Sequence, residues 1–248
     1  MIGAAWGRWR ALVLVMFITM LTSSTDAEPT RSLQRFESGG KEIRIETFTD
    51  AAFGDAPSII VQHGATGVEF ANRFIGNLAQ SFAAQGFVVH LVHYFDRTGA
   101  RYADDATIKR SSGDWLQTVH EAVSFIQRKR PRAAVGLFGY SLGGYLAAAE
   151  AIASEEISAA VILAGGLDEA SARAARRGSP VLILHGAADN RVPVSEARRL
   201  EATLKRMGRS PEIHIYPGEG HIMSLPTYAD VVHRSVEFLR AQLGKPSS

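Results

Sequence analysis

An α/β fold with a mostly parallel central sheet and helices on both faces is what this sequence predicts, on three observations. Short apolar runs alternate with longer stretches of helical periodicity almost without exception. Glycine or proline punctuates most of the junctions. No internal repeat, low-complexity tract or linker interrupts the alternation, so one layered domain accounts for it.

The elements follow in order. Ile43 to Phe48 alternates apolar and polar residues and reads as a half-exposed early strand, and Pro57 to Gln62 as a buried one. Glu69 to Ala84 places Phe70, Phe74, Ile75, Leu78 and Phe82 at helical spacing, and Gly86 stops it. Phe87 to Phe95 is a second buried strand. The polar stretch from Asp96 to Asp114 is expected as an irregular loop over the site. Trp115 to Ile126 carries Trp115, Leu116, Val119, Val123 and Ile126 on one helical face. Ala133 to Phe138 is apolar and leads into an Ala-rich helix from Leu146 to Ile152. Strands at Ile157 to Leu163 and Pro180 to His185 come next. Val194 to Met207 is a charged amphipathic helix ending at Gly208, Glu212 to Tyr216 a last strand, and Tyr228 to Leu243 a closing helix. In sheets of this kind ligands bind beyond the carboxyl ends of the strands.

Residues 1–27 read as a secretory signal peptide, leaving 28–248 as a single domain. Arg8 and Arg10 form a positive n-region, Ala11 to Leu21 an apolar h-region, and Thr25-Asp26-Ala27 supplies small residues for cleavage after Ala27, with Ser24 as the alternative. The apolar run falls short of the roughly 18–20 residues that span a bilayer, so no stable membrane insertion is expected once the signal is removed. A secreted or periplasmic location follows. The chain has no cysteine, which removes thiol nucleophiles, disulfides and thiolate metal sites together. Its formal charge is +2, from 27 Lys and Arg against 25 Asp and Glu, and nothing in that balance suggests a nucleic-acid partner. No metal motif is present. His90 and His93, three apart on an expected strand, point to opposite faces.

The chemistry-bearing stretch is Gly139-Tyr140-Ser141-Leu142-Gly143, a G-x-S-x-G between an apolar run and a helix-forming run. Strand, sharp turn with Ser at its tip, then helix is the context of a nucleophile elbow, where a side chain at either glycine would crowd the turn. A Ser hydroxyl needs a base to take its proton and an acid to orient the base, here in the chain order Ser, acid, His. Asp189, in a loop between an apolar strand and a helix, fits the acid, and Asp168 ranks below it. His221, in the Gly-rich loop Tyr216-Pro217-Gly218-Glu219-Gly220-His221, fits the base. His90, His93, His120, His214 and His233 sit within expected helices or strands, and His185 is expected to pack beneath the acid loop. Backbone N–H groups of Leu142 and of Ala65, in the Gln62-His63-Gly64-Ala65-Thr66-Gly67 loop, are the expected oxyanion donors. Tyr140, beside Ser141, is a candidate substrate contact.

Five segments together resemble the dienelactone hydrolase family of the α/β-hydrolase superfamily: QHGATG at 62–67, HYFDRTG at 93–99, GYSLGG at 139–144, LHGAADNRVP at 184–193 and YPGEGH at 216–221. The resemblance covers nearly all of 28–248. It implies the α/β-hydrolase fold and cleavage of a small ester or lactone through an acyl-enzyme, without cofactor, with Ser141, Asp189 and His221 as the triad. It also implies that Arg97 holds a substrate carboxylate, against an ion pair with Asp96 or Asp104 that would only stabilise its loop. Three departures stand out. The best-known members carry Cys where this chain has Ser141, and a Glu where it has His63. A second family Arg after the base has no counterpart at Ile222, Met223, Ser224 or Leu225. A peptidase on the same scaffold and a non-catalytic secreted binding protein are the alternative readings.

Overall fold

The computed structural model describes residues 29–50, 56–174 and 178–244. The expected signal segment 1–27 lies outside the described residues. Eight strands form one sheet: β1 (Thr30–Ser38), β2 (Lys41–Thr49), β3 (Ser58–Gln62), β4 (Val88–Val92), β5 (Val135–Tyr140), β6 (Ile157–Leu163), β7 (Val181–Gly186) and β8 (Glu212–Tyr216). Six helices accompany them: α1 (Gly67–Ala84), α2 (Asp105–Lys129), α3 (Leu142–Ala153), α4 (Glu169–Ala174), α5 (Val194–Arg206) and α6 (Leu225–Leu243). The strand order is β1-β2-β4-β3-β5-β6-β7-β8. Strands β1, β2 and β4 pair antiparallel, and every other neighbour pair is parallel.

That order fixes where a site can form. From β3 the chain steps through α1 to β4 on one side, then returns through α2 to β5 on the other. Right-handed crossovers running in opposite directions put their helices on opposite faces. Ile75, Leu78 and Phe82 of α1 and Val231, Phe238 and Leu239 of α6 fill one core, against Ile59, Val61 and Phe138. Trp115, Val119 and Val123 of α2, Leu146 of α3 and Leu200 of α5 fill the other, against Ile60 and Leu137. The buried strands are apolar on both faces because both are covered. The helical stripe expected for α1 is thus buried, with the side chain of Phe70 outside the described set. At the reversal between β3 and β5, where Gln62 pairs with Gly139, the loops after the two strands diverge and leave a crevice.

The structure departs from the sequence expectation at the amino-terminal side. The early strand lengthens to Lys41–Thr49 and gains an edge partner, β1, through a turn at Gly39 and Gly40, both with positive φ (51° and 72°). Strand β4 stops at Val92, and Tyr94–Arg97 wind into a 3₁₀ turn in which Tyr94 and Phe95 pack on Trp115. The expected loop 96–114 is mostly helix. Asp104 caps α2 by accepting from Thr107 N–H at 2.8 Å, so the helix begins ten residues before its first buried apolar residue, Trp115, with Asp105 at its start. His90 lies within β4, beside Thr47 and Ser58, whereas His93 follows the strand and pairs with Glu46.

Candidate active site

The G-x-S-x-G segment bridges β5 and α3. Ser141 sits at φ 56° and ψ −120°, a strained conformation for a residue with a side chain. Its surroundings hold it there. Ser141 N–H donates to Leu163 O on β6 at 2.9 Å, and Ser141 O accepts from Gly144 N–H at 2.8 Å. A Cβ on Gly139 would lie 2.1 Å from Gly143 O, and one on Gly143 would lie 2.3 Å from Gln62 O. Both flanking glycines are therefore required by backbone contacts, as the motif implies. The turn leaves the Ser141 hydroxyl beside the first turn of α3.

Asp189 and His221 arrive from the loops after β7 and β8. His221 Nε2 lies 2.9 Å from Ser141 Oγ, and its Nδ1 lies 2.8 Å from Asp189 Oδ2. A carboxylate can only accept, so Nδ1 carries the proton and Nε2 presents its lone pair to the hydroxyl. Asp189 Oδ1 accepts the backbone N–H groups of Arg191 at 2.9 Å and Val192 at 2.8 Å, which fixes the carboxyl plane. The Asp189 side chain is fully buried, whereas that of His221 is 17% exposed. Asp168, the lower-ranked acid, instead accepts from Ser171 at the start of α4.

Two supports escaped the sequence reading. His185 does pack beneath the acid loop, but it also reaches the carboxylate. Its Nε2–H donates to Val192 O at 2.8 Å and stands 3.4 Å from Asp189 Oδ2. Burial lowers the His185 pKa, which keeps it neutral beside the acid. Glu219 accepts from Ser224 N–H and from the hydroxyls of Ser224 and Thr227, tying the loop of His221 to the start of α6. A Cβ on Gly186 would lie 2.4 Å from Glu219 O, so the acid and base loops pack backbone to backbone.

The loop after β3 closes the other side. His63 Nδ1–H donates to Gly64 O at 2.8 Å, and its ring stacks on Tyr94 at 4.1 Å between centroids. Burial pushes the His63 pKa down to about 3, so the ring is a neutral structural group. Ala65 O accepts from Ala103 N–H at 2.9 Å. The N–H groups of Ala65 and Leu142 have no acceptor among the described residues, and Ala65 lines the same pocket as Ser141. The pocket holds about 430 Å³. Its walls are chiefly apolar: Phe74 on α1, Tyr140, and Tyr228 and Val231 on α6. Phe74 contacts the rings of Tyr140 and Tyr228 at about 5 Å. The Tyr140 hydroxyl donates to His221 O at 3.1 Å, and burial, then Asp189, pushes its pKa up to about 12. Tyr140 thus both lines the pocket and holds the base.

Arg97 is elsewhere. Its guanidinium covers Gly39, donates to Ser38 Oγ at 3.0 Å and approaches Asp114 at 3.5 Å. Asp96 is occupied by Arg44, with contacts of 2.7 and 2.9 Å. Arg97 thus lies outside the lining of the Ser141 pocket, because the 3₁₀ turn swings residue 97 back over the β1–β2 hairpin. The pocket does contain a cation, Arg191, but Asp105 pairs with it at 2.6 Å at the rim.

Loops from three parallel strands that carry a hydroxyl, a carboxylate and an imidazole in one hydrogen-bonded chain, beside the reversal of a doubly covered sheet, define an α/β hydrolase. A family model described as the dienelactone hydrolase family matches residues 45–233, and the chain belongs to that family. Solved structures agree in fold. A dienelactone hydrolase-like promiscuous phosphotriesterase from metagenomic libraries superposes with a TM-score of 0.74 at 18% identity, over 88% of this chain and 100% of that one. Dienelactone hydrolase from Anabaena variabilis gives 0.70 at 17% identity, over 87% and 99%. Acylaminoacyl peptidase from Pyrococcus horikoshii gives 0.70 at 18% identity, over 90% of this chain but 43% of that longer one.

Proposed function

We propose that this member of the family is a serine hydrolase that cleaves a carboxylic ester or lactone through an acyl-enzyme. The observation that carries the reading is the unbroken relay from Ser141 Oγ through His221 to Asp189, with contacts of 2.9 and 2.8 Å. Ser141 Oγ attacks the carbonyl carbon while its proton passes to His221 Nε2. The oxyanion is met by the free N–H groups of Leu142 and Ala65, and one such donor is worth about 3 kcal/mol in the transition state. The imidazolium, oriented by Asp189, then gives its proton to the departing alkoxide. Water repeats the sequence on the acyl-Ser141 bond and releases the acid. In a lactone, leaving group and acid are the two ends of one product.

Two further parts belong to the proposal. The protein acts outside the cytoplasm, on the signal-like layout of residues 1–27. Its substrate needs no carboxylate for recognition, because Arg97 lies off the pocket and Arg191 is paired. The test is fluorophosphonate labelling of Ser141 together with a panel of p-nitrophenyl esters and lactones, beside Ser141→Ala. Labelling and turnover that both vanish in the variant are the expected result. A folded wild type that neither labels nor turns over any member would favour a non-catalytic binding protein.

A further inference from the structure

Exposed apolar side chains that gather beside a pocket mark a surface that a ligand can cover, whereas scattered ones carry no such meaning. Four are exposed among the described residues: Leu33 at 50%, Tyr102 at 57%, Ile222 at 85% and Leu225 at 83%. Tyr102 and Ile222 line the pocket of Ser141, and Leu225 opens α6 three residues beyond Ile222. Thus Tyr102 and Ile222 stand at one mouth, Ile222 directly after the base His221 and three residues before the exposed Leu225.

Their exposure is fixed by the loop. Glu219 holds Ser224 and Thr227, Tyr140 holds His221 O, and Ala188 N–H donates to Glu219 O at 2.8 Å. The segment between these anchors has little freedom to fold Ile222 inward, so the side chain is presented to solvent at little further entropic cost. The wall behind it is Phe74, Tyr228 and Val231, and the rim cation Arg191 is neutralised by Asp105. An apolar surface therefore runs from Ser141 out past the pocket edge.

Resting on the serine-hydrolase reading, we propose that the substrate is a neutral ester with an extended apolar chain, whose far end lies on a lip made by Ile222, Leu225 and Tyr102. Burying each added methylene against such a surface favours the longer ester by about fourfold, until the lip is covered. A small acid-bearing lactone would leave the lip bare.

The experiment measures kcat/KM for p-nitrophenyl acetate, butyrate and octanoate, each below its critical micelle concentration, in wild type, in the double variant Ile222→Ser, Leu225→Ser, and in Leu33→Ser. The expected wild type prefers octanoate. The octanoate-to-acetate ratio should fall about tenfold in the double variant and stay unchanged in Leu33→Ser, with thermal midpoints matching throughout because the changed side chains are exposed. Acetate as the best substrate, or an unchanged ratio in the double variant, would overturn the proposal. Ser141→Ala separates the two questions: activity surviving in that variant refutes the serine-hydrolase reading, whatever the chain-length ratio shows.

Discussion

Acid should unfold this protein through two histidines before its carboxylates are reached. His63 is wholly enclosed beneath the Ala65 loop, and His90 is buried in β4 between Thr47 and Ser58. Burial, joined at His90 by the charge of Arg130, lowers both pKa values to about 3. In the unfolded chain the same imidazoles take up protons near pH 6.5. Between those limits the unfolded state binds more protons, so stability is full above about pH 6.5 and is lost as the pH falls toward 3. Each group costs about 1.4 kcal/mol per pH unit on the steep part, or about 2 kcal/mol between pH 7 and pH 5, and about 4 kcal/mol for the pair. That is a large share of a typical folding free energy of roughly 5–15 kcal/mol. Glu46 and Asp96, whose pKa values are lowered by His93 with Arg31 and by Arg44, lose their contribution only below the usual carboxylate range. The interval from pH 7 to pH 5 therefore lies above the ordinary carboxylate range; His185, also lowered, adds in the same sense, while Glu150, whose pKa burial raises, opposes the loss. Urea unfolding at pH 7, 6 and 5 should show this loss, and His90→Gln should reduce its slope by about 1.4 kcal/mol per pH unit below pH 6. Stability that stays flat down to pH 5, or an undiminished slope in His90→Gln, would refute the reasoning.

Three further outcomes follow from contacts in the site. Gly143→Ala drives a Cβ to 2.3 Å from Gln62 O, backbone against backbone; it should cost about 3 kcal/mol or more in urea unfolding and abolish ester hydrolysis. His185→Gln releases Val192 O and the buried side of Asp189; kcat should drop about tenfold with KM nearly constant in steady-state assays. Arg97→Ala removes a bond to Ser38 and a partly exposed pair with Asp114, so it should lower stability by about 1 kcal/mol. Its effect on KM should be the same for acidic and neutral esters, and a selective rise for acidic ones would restore Arg97 to the binding site.

The parallel half of the sheet was legible because strands covered on both faces are written as apolar runs. Ser141, Asp189 and His221 were legible because each follows such a run at a glycine-marked turn, and the structure brings all three together. Strand β1 was not: Leu33 and Phe36 are its only large apolar residues, since an edge strand buries little. A signal existed in Gly39-Gly40, a dipeptide suited to a two-residue hairpin in which both residues take positive φ. The first turns of α2 were hidden by polarity, although Asp104 three residues before Thr107 marks a cap. Apart from Tyr140, the pocket walls could not be read. Phe74 and Tyr228 come from helices 154 residues apart, and their periodicity announces only burial. Arg97 failed for a related reason: one residue's direction after a strand depends on whether the strand continues, and here it ends at Val92.

The position of β8 has a consequence for synthesis. It is the outermost strand, held in the sheet only by β7, and its loop carries His221. A chain emerging from its amino terminus presents Ser141 and then Asp189 well before the base exists. Until the final strand docks and α6 closes behind it, the hydroxyl has no proton acceptor. On the serine-hydrolase reading, the unfinished polypeptide therefore lacks its base, and the relay is complete only when the sheet is.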